Sequence, residues 1–166
     1  MSDLDPSLRS SVSEVEKSGY LLSLGDENSL NINAVSNAFL DHLRQTGRRG
    51  ALIAVGGTVN LVTRGTPRKD IDLLAVIENS HDFNDWLAEI EKISNKSGIV
   101  IGKINNPIPD HEYGLPINLH DGSVVLVPRG GVPIEIVRQE RLDDWKKICD
   151  ELRAKTRDFS ILGFND

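Results

Sequence analysis

The sequence predicts an α/β (α+β) domain, a mixed sheet flanked by helices with a β-hairpin in its second half. Three observations point there. Residues 51–55, Ala-Leu-Ile-Ala-Val, are a short continuous apolar run of the kind buried on both faces of a sheet. Phe83, Trp86, Leu87, Ile90 and Ile93 recur at the spacing of an amphipathic helix. Short apolar stretches punctuated by Asp121-Gly122 and by Pro128-Arg129-Gly130-Gly131 fill the second half, and Asp-Gly is a strong hairpin signal.

Each element follows from its own residues. Residues 1–30 form an N-terminal segment in which Leu8, Val12 and Val15 suggest a short helix, and residues 23–31 are polar and turn-rich. A single domain is expected over 31–166. Across residues 32–45, Val35, Phe39 and Leu43 recur every four positions, which predicts a helix that Gly47 and Gly50 end. The buried strand 51–55 stops at Gly56-Gly57, and a short helix is expected over 58–62. The turn 64–69, Arg-Gly-Thr-Pro-Arg-Lys, leads into a second strand over 70–77. Ser80 and Asp82 are both suitable caps for the helix that contains Trp86, and Gly98 closes it. Residues 99–101 read as a third strand, and the proline-bearing stretch 105–116 as loop. Strands at 116–119 and 123–127 flank His120-Asp121-Gly122 as a hairpin, and residues 132–137 form another strand. A last helix places Leu142, Trp145, Cys149 and Leu152 on one face, its acids early and its bases late as the helix dipole favours.

Bulk properties narrow the function. At 166 residues the chain can bury a core without disulfide or metal staples. Its net charge of -6 argues against general nucleic-acid binding, which requires a basic surface, but not against a nucleotide enzyme whose metal ions bring the positive charge. The single Cys149 excludes an internal disulfide, and its helical position suggests a buried thiol. The acidic start lacks the regions of a signal peptide, and no apolar run reaches membrane-spanning length, so a cytoplasmic location without membrane association is expected. His42, His81, His111 and His120 show no metal-ligand spacing, so zinc is not expected. Trp86 and Trp145 fall in helical apolar stripes and read as core.

The chemistry is concentrated in two short stretches. Asp70 and Asp72 lie two apart on a strand, so their carboxylates share one face and repel unless a cation lies between them. Gly56-Gly57 ends one strand and opens a helix, where bare amides can approach phosphates, and Thr58 adds a hydroxyl. Glu135 is a lone acid inside an apolar strand and supplies a candidate third carboxylate. Arg64, Arg68 and Lys69 precede the acid pair, where cations would meet a triphosphate. Taken singly, Gly-Gly is a tight turn, paired acids are a solvated strand face, and each cation is a turn residue. The conjunction is what points to a metal–triphosphate site.

Residues 54–77 resemble the nucleotidyltransferase superfamily, the polymerase-beta-like fold. Its pattern of apolar strand, Gly-Gly, spacer and Asp-apolar-Asp-apolar appears as Val55-Gly56-Gly57-Thr58 and Asp70-Ile71-Asp72-Leu73. The form is similar to the AbiEii-type toxin–antitoxin enzymes and to those that adenylylate aminoglycosides and lincosamides. The resemblance implies that Gly57 and Thr58 bind the triphosphate; Gly56 in the same turn and the cations Arg64, Arg68 and Lys69 are candidates for that role from their position. It further implies that Asp70 and Asp72 bind two magnesium ions (or manganese) and that Glu135 completes the triad; by its chemistry Glu135 is also a candidate general base toward a hydroxyl acceptor. That acceptor, whether small molecule, RNA or protein, is not indicated. Because only about thirty residues follow Glu135, an antitoxin-like or regulatory module acting through a protein partner is the alternative. A dinucleotide-binding domain is disfavoured, since Gly-x-Gly-x-x-Gly is missing after the first strand.

Overall fold

A computed structural model describes residues 27–64, 69–105, 120–139 and 144–166. The helix expected near residue 12, the loop 105–116 beyond its first residue, the strand 116–119, Arg68 and Leu142 lie outside these residues. Ten elements occur among the described residues: α1 (Glu27–Thr46), β1 (Gly50–Val55), α2 (Thr58–Arg64), β2 (Ile71–Ile77), α3 (Phe83–Ser97), β3 (Val100–Asn105), β4 (His120–Val127), β5 (Ile134–Gln139), α4 (Trp145–Ala154) and β6 (Phe159–Asn165). The strands form one six-stranded mixed sheet in the order β3-β4-β5-β2-β1-β6. All neighbouring pairs are antiparallel except β2 and β5, which run parallel at the sheet's centre.

Two apolar layers explain why the central strands read as unbroken hydrophobic runs. Leu52 and Ala54 of β1, Ile71, Leu73, Ala75 and Ile77 of β2, and Ile134 and Ile136 of β5 face one core. Helices α1 (Ile32, Val35, Phe39, Leu43), α2 (Leu61, Val62) and α3 (Phe83, Trp86, Ile90, Ile93) cover it. The alternate residues Ala51, Ile53, Val55, Leu74, Val76 and Val137 face a second, smaller core under Trp145, Ile148, Cys149 and Leu152 of α4. A strand pleated between two helical layers is apolar wherever both layers cover it, and polar residues such as Asp72 and Glu135 fall at the strand ends. The tryptophans and the free Cys149 are buried in these layers, as expected.

Local chemistry sets the helix ends. Asp82 is the cap of α3, its carboxylate accepting the Asp85 amide at 2.8 Å, and Gly98 closes the helix at φ 75°. Asp144 caps α4 in the same way through Lys146. Between α1 and α3 lies a polar cluster: Glu89 bonds His42 through Nε2 and meets Arg48 Nη1 at 3.4 Å, with His42 and Glu89 both buried. At the other edge Arg49 binds Asp166 at 2.8 Å. That bond first, and the Glu78 charge next, raise the Arg49 pKa above its ordinary value. Among the described residues no helix is long and apolar enough to cross a membrane.

Four expectations are corrected. Helix α1 starts at Glu27 rather than near residue 32, its first turn extending into polar sequence. Within that turn Asn28 Oδ1 accepts the Val132 amide at 2.8 Å, and Asn31 donates to the Gly130 carbonyl at 2.7 Å. The third strand runs to Asn105, not 101. Asp121-Gly122 is not a hairpin turn. It lies inside β4, where the pairing with β5 shifts between His120 and Gly122. Gly122 is at φ 140°, and a Cβ there would come within 2.2 Å of the Phe83 ring, so glycine is needed for a bulge and a close approach. The hairpin of the second half joins β4 to β5 instead, through the turn that contains Arg129-Gly130-Gly131. Finally, β6 was not anticipated: it closes the sheet against β1 with Ile161 in the smaller core.

Candidate active site

The parallel pair β2–β5 brings two acids together that are far apart in sequence. The ladder starts with the Ile71 amide donating to the Pro133 carbonyl at 3.1 Å. It continues with Ile71 opposite Ile134 and Asp72 opposite Glu135. Directly opposed residues on neighbouring strands stand roughly 5 Å apart and point to the same face. Since Ile71, Leu73, Ile134 and Ile136 fill the larger core, Asp72 and Glu135 project from the other face, the α4 side of the sheet. Both are half-buried. Asp70 stands one residue before β2 and is exposed.

The glycine turn arrives at the same end of the sheet. β1 runs antiparallel to β2 with Ala54 opposite Leu73, so the residues that follow Val55 emerge beside Asp72. Gly56 takes φ 59°, a left-handed conformation that glycine adopts without cost, and its carbonyl accepts the Val59 amide at 3.1 Å to start α2. Thr58 is buried. Its Oγ1 accepts the Asp72 backbone N–H at 2.9 Å, tying the turn to the acid-bearing strand. Thr58→Val keeps the shape and removes the acceptor, leaving a partly buried N–H unsatisfied. It is expected to lower stability by about 1–3 kcal/mol, with Thr58→Ser close to wild type, as measured by chemical denaturation.

Arg64, the last residue of α2, and Lys69 are exposed. Sequence reasoning missed two other residues. Ser123 of β4, fully buried, donates from Oγ to Glu135 Oε2 at 2.8 Å, and Asn105 Nδ2 donates to that same Oγ at 3.2 Å. Their one sequence signal is a serine opening the apolar run Val124-Val125-Leu126-Val127, at a position where a fully buried strand would carry valine.

A divalent metal can be tested against these donors. Among the described residues no group of three or more His, Cys, Asp or Glu is placed to hold an ion. The register pair Asp72–Glu135 nevertheless offers hard oxygen ligands, and magnesium is commonly held by one or two carboxylates with water and substrate phosphate completing its shell. The donor chemistry fits. A groove of about 490 Å³ between the end of α3 and β3 involves Ile99, Ile101 and Ile104. Ile99 and Ile101 pack with the larger core, so that groove belongs to the opposite side of the sheet from the acids.

No family model matches the chain, and no curated protein matches it. Solved structures similar to it include a tRNA-processing enzyme in an apo form, at 18% identity and TM-score 0.39 over 70% of this chain and 24% of that one. A CCA-adding enzyme in complex with ATP is similar at 20% identity and TM-score 0.44, covering 79% of this chain and 25% of that one. The corresponding complex with CTP gives 19%, 0.40, 75% and 23%. The chain spans about a quarter of the length of each.

Proposed function

We propose that the protein transfers a nucleoside monophosphate from a nucleoside triphosphate to a hydroxyl acceptor, with magnesium or manganese bound at Asp72 and Glu135 and Asp70 beside them. The observation that carries this is the direct opposition of Asp72 and Glu135 at the end of the sheet where the Gly56-Gly57 turn emerges. The sheet register holds two hard oxygen donors on one face, the ligand type that magnesium or manganese requires.

In the proposed reaction the acceptor oxygen bonds to the α-phosphorus, the bond from that phosphorus to its bridging oxygen breaks, and pyrophosphate leaves. The acceptor's proton passes to a base, for which Glu135 is the candidate. When bound, the metal neutralises the charge that develops on the triphosphate oxygens. The protein's own work is positioning. Thr58 fixes the Asp72 backbone, and the left-handed Gly56 turns the chain so that backbone without side chains faces the phosphates. Arg64 and Lys69 supply exposed cations for the triphosphate tail.

Incubation with each α-labelled triphosphate, magnesium and cell extract tests the proposal. Label is expected on an acceptor, and chelation of the metal is expected to reduce transfer to background. Absence of label transfer together with absence of magnesium-dependent triphosphate binding would overturn it.

A further inference from the structure

We infer that Ser123 and Asn105 are positioning residues that aim the Glu135 carboxylate at the metal, an inference that rests on the nucleotidyl-transfer proposal above. The chain of hydrogen bonds has a direction set by chemistry. An amide nitrogen can only donate, so Asn105 Nδ2 occupies a lone pair of Ser123 Oγ at 3.2 Å. An ionised carboxylate can only accept, so the single Ser123 proton goes to Glu135 Oε2 at 2.8 Å. The relay therefore runs one way, from the strand pair β3–β4 into β5, with Asn105 directly opposite Ser123 in the ladder.

Burial is the second part of the case. Ser123 is fully buried and followed by Val124, a core residue at the same 0% exposure. A hydroxyl placed there is costly unless it is hydrogen-bonded, and valine would pack without that cost. The serine hydroxyl is retained where its bond reaches the one acid that β5 contributes to the site. Glu135 has three rotatable bonds, so its carboxylate can take several orientations unless a donor holds it. A donor fixed by a second donor holds one of its oxygens, so the carboxylate does not have to be ordered again when a cation arrives. Groups that orient metal-binding residues in this way typically change metal affinity or activity by roughly 10–100-fold when removed.

The test uses the full chain and Mn²⁺ with a non-hydrolysable ATP analogue whose α–β bridging oxygen is replaced by carbon, free Mn²⁺ being read by electron paramagnetic resonance. Ser123→Cys keeps the volume but offers only a weak donor. It is expected to retain the wild-type unfolding temperature while binding Mn²⁺ about tenfold or more weakly. Ser123→Thr, which restores a hydroxyl, should recover part of that loss. Asn105→Ala, at the half-buried end of an edge strand, should weaken Mn²⁺ by a smaller factor. It also serves as the reporter if the cysteine variant folds poorly. Wild-type Mn²⁺ affinity in both Ser123→Cys and Asn105→Ala would overturn the positioning role while leaving the proposed activity intact. Failure of the wild-type protein itself to take up Mn²⁺ with the analogue would overturn both.

Discussion

Asp72→Asn is expected to reduce the proposed nucleotidyl transfer by roughly 10²–10³-fold or more, the loss typical of removing a group that stabilises charge in the transition state. The substitution is nearly isosteric. The backbone N–H that binds Thr58 Oγ1 is unaffected, and the flanking Ile71 and Leu73 stay in the core. The variant therefore folds. Its stability is expected to stay within about 1 kcal/mol of wild type, because the change is nearly isosteric and leaves the core untouched. Loss of function with retained stability is the pattern of a residue whose role is chemical rather than structural. The measurements are transfer from an α-labelled triphosphate and the midpoint of thermal unfolding. Full activity in this variant would remove Asp72 from the proposed chemistry.

Glu89→Ala is expected to produce the largest loss of stability, about 3–5 kcal/mol, by removing the acceptor at the centre of a buried polar cluster. His42 on α1 bonds Glu89 on α3, and Arg48 approaches its other oxygen at 3.4 Å. Without the carboxylate, the His42 ring nitrogen remains buried without this partner, and a cavity opens between the two helices. The double variant His42→Ala, Glu89→Ala should lose less than the sum of the single losses, since each single change orphans the other group. Chemical denaturation of the four proteins checks this. A strictly additive result would show that the two side chains do not interact.

The elements legible in the sequence are those whose signal is local. β1 and β2 announced themselves as apolar runs because both faces of each are covered, and α3 because a cap, a stripe and a terminal glycine agree. The Gly56-Gly57 turn was legible for the same reason, whereas Asp70, expected on the strand with Asp72, stands one residue before β2. Glu135 could be nominated from its isolation in an apolar strand and grouped with Asp72 through the resemblance, but nothing in residues 132–137 encodes the parallel register that opposes the two. Asp121-Gly122 misled because the dipeptide suits a bulge as well as a turn, and only the Phe83 ring, contributed by a distant helix, distinguishes them. Ser123 and Asn105 were missed because their meaning lies in a ladder between strands. β6 lacked a clear alternation, and its place is set by its contact with β1.

The parallel register of β2 and β5 also bears on when the site comes into existence. Strands in parallel need a crossover, and here the connection passes through α3, β3 and β4 before β5 can dock. Pairings this remote in sequence are slow to form, because the entropy of closing the loop is lost before any contact rewards it. A nascent chain that has emerged only as far as β3 already carries Asp70, Asp72 and the glycine turn, yet has no surface on which two acids oppose each other. Competence for chemistry is thus expected to appear late and all at once, with the docking of β5, rather than to grow as the chain lengthens.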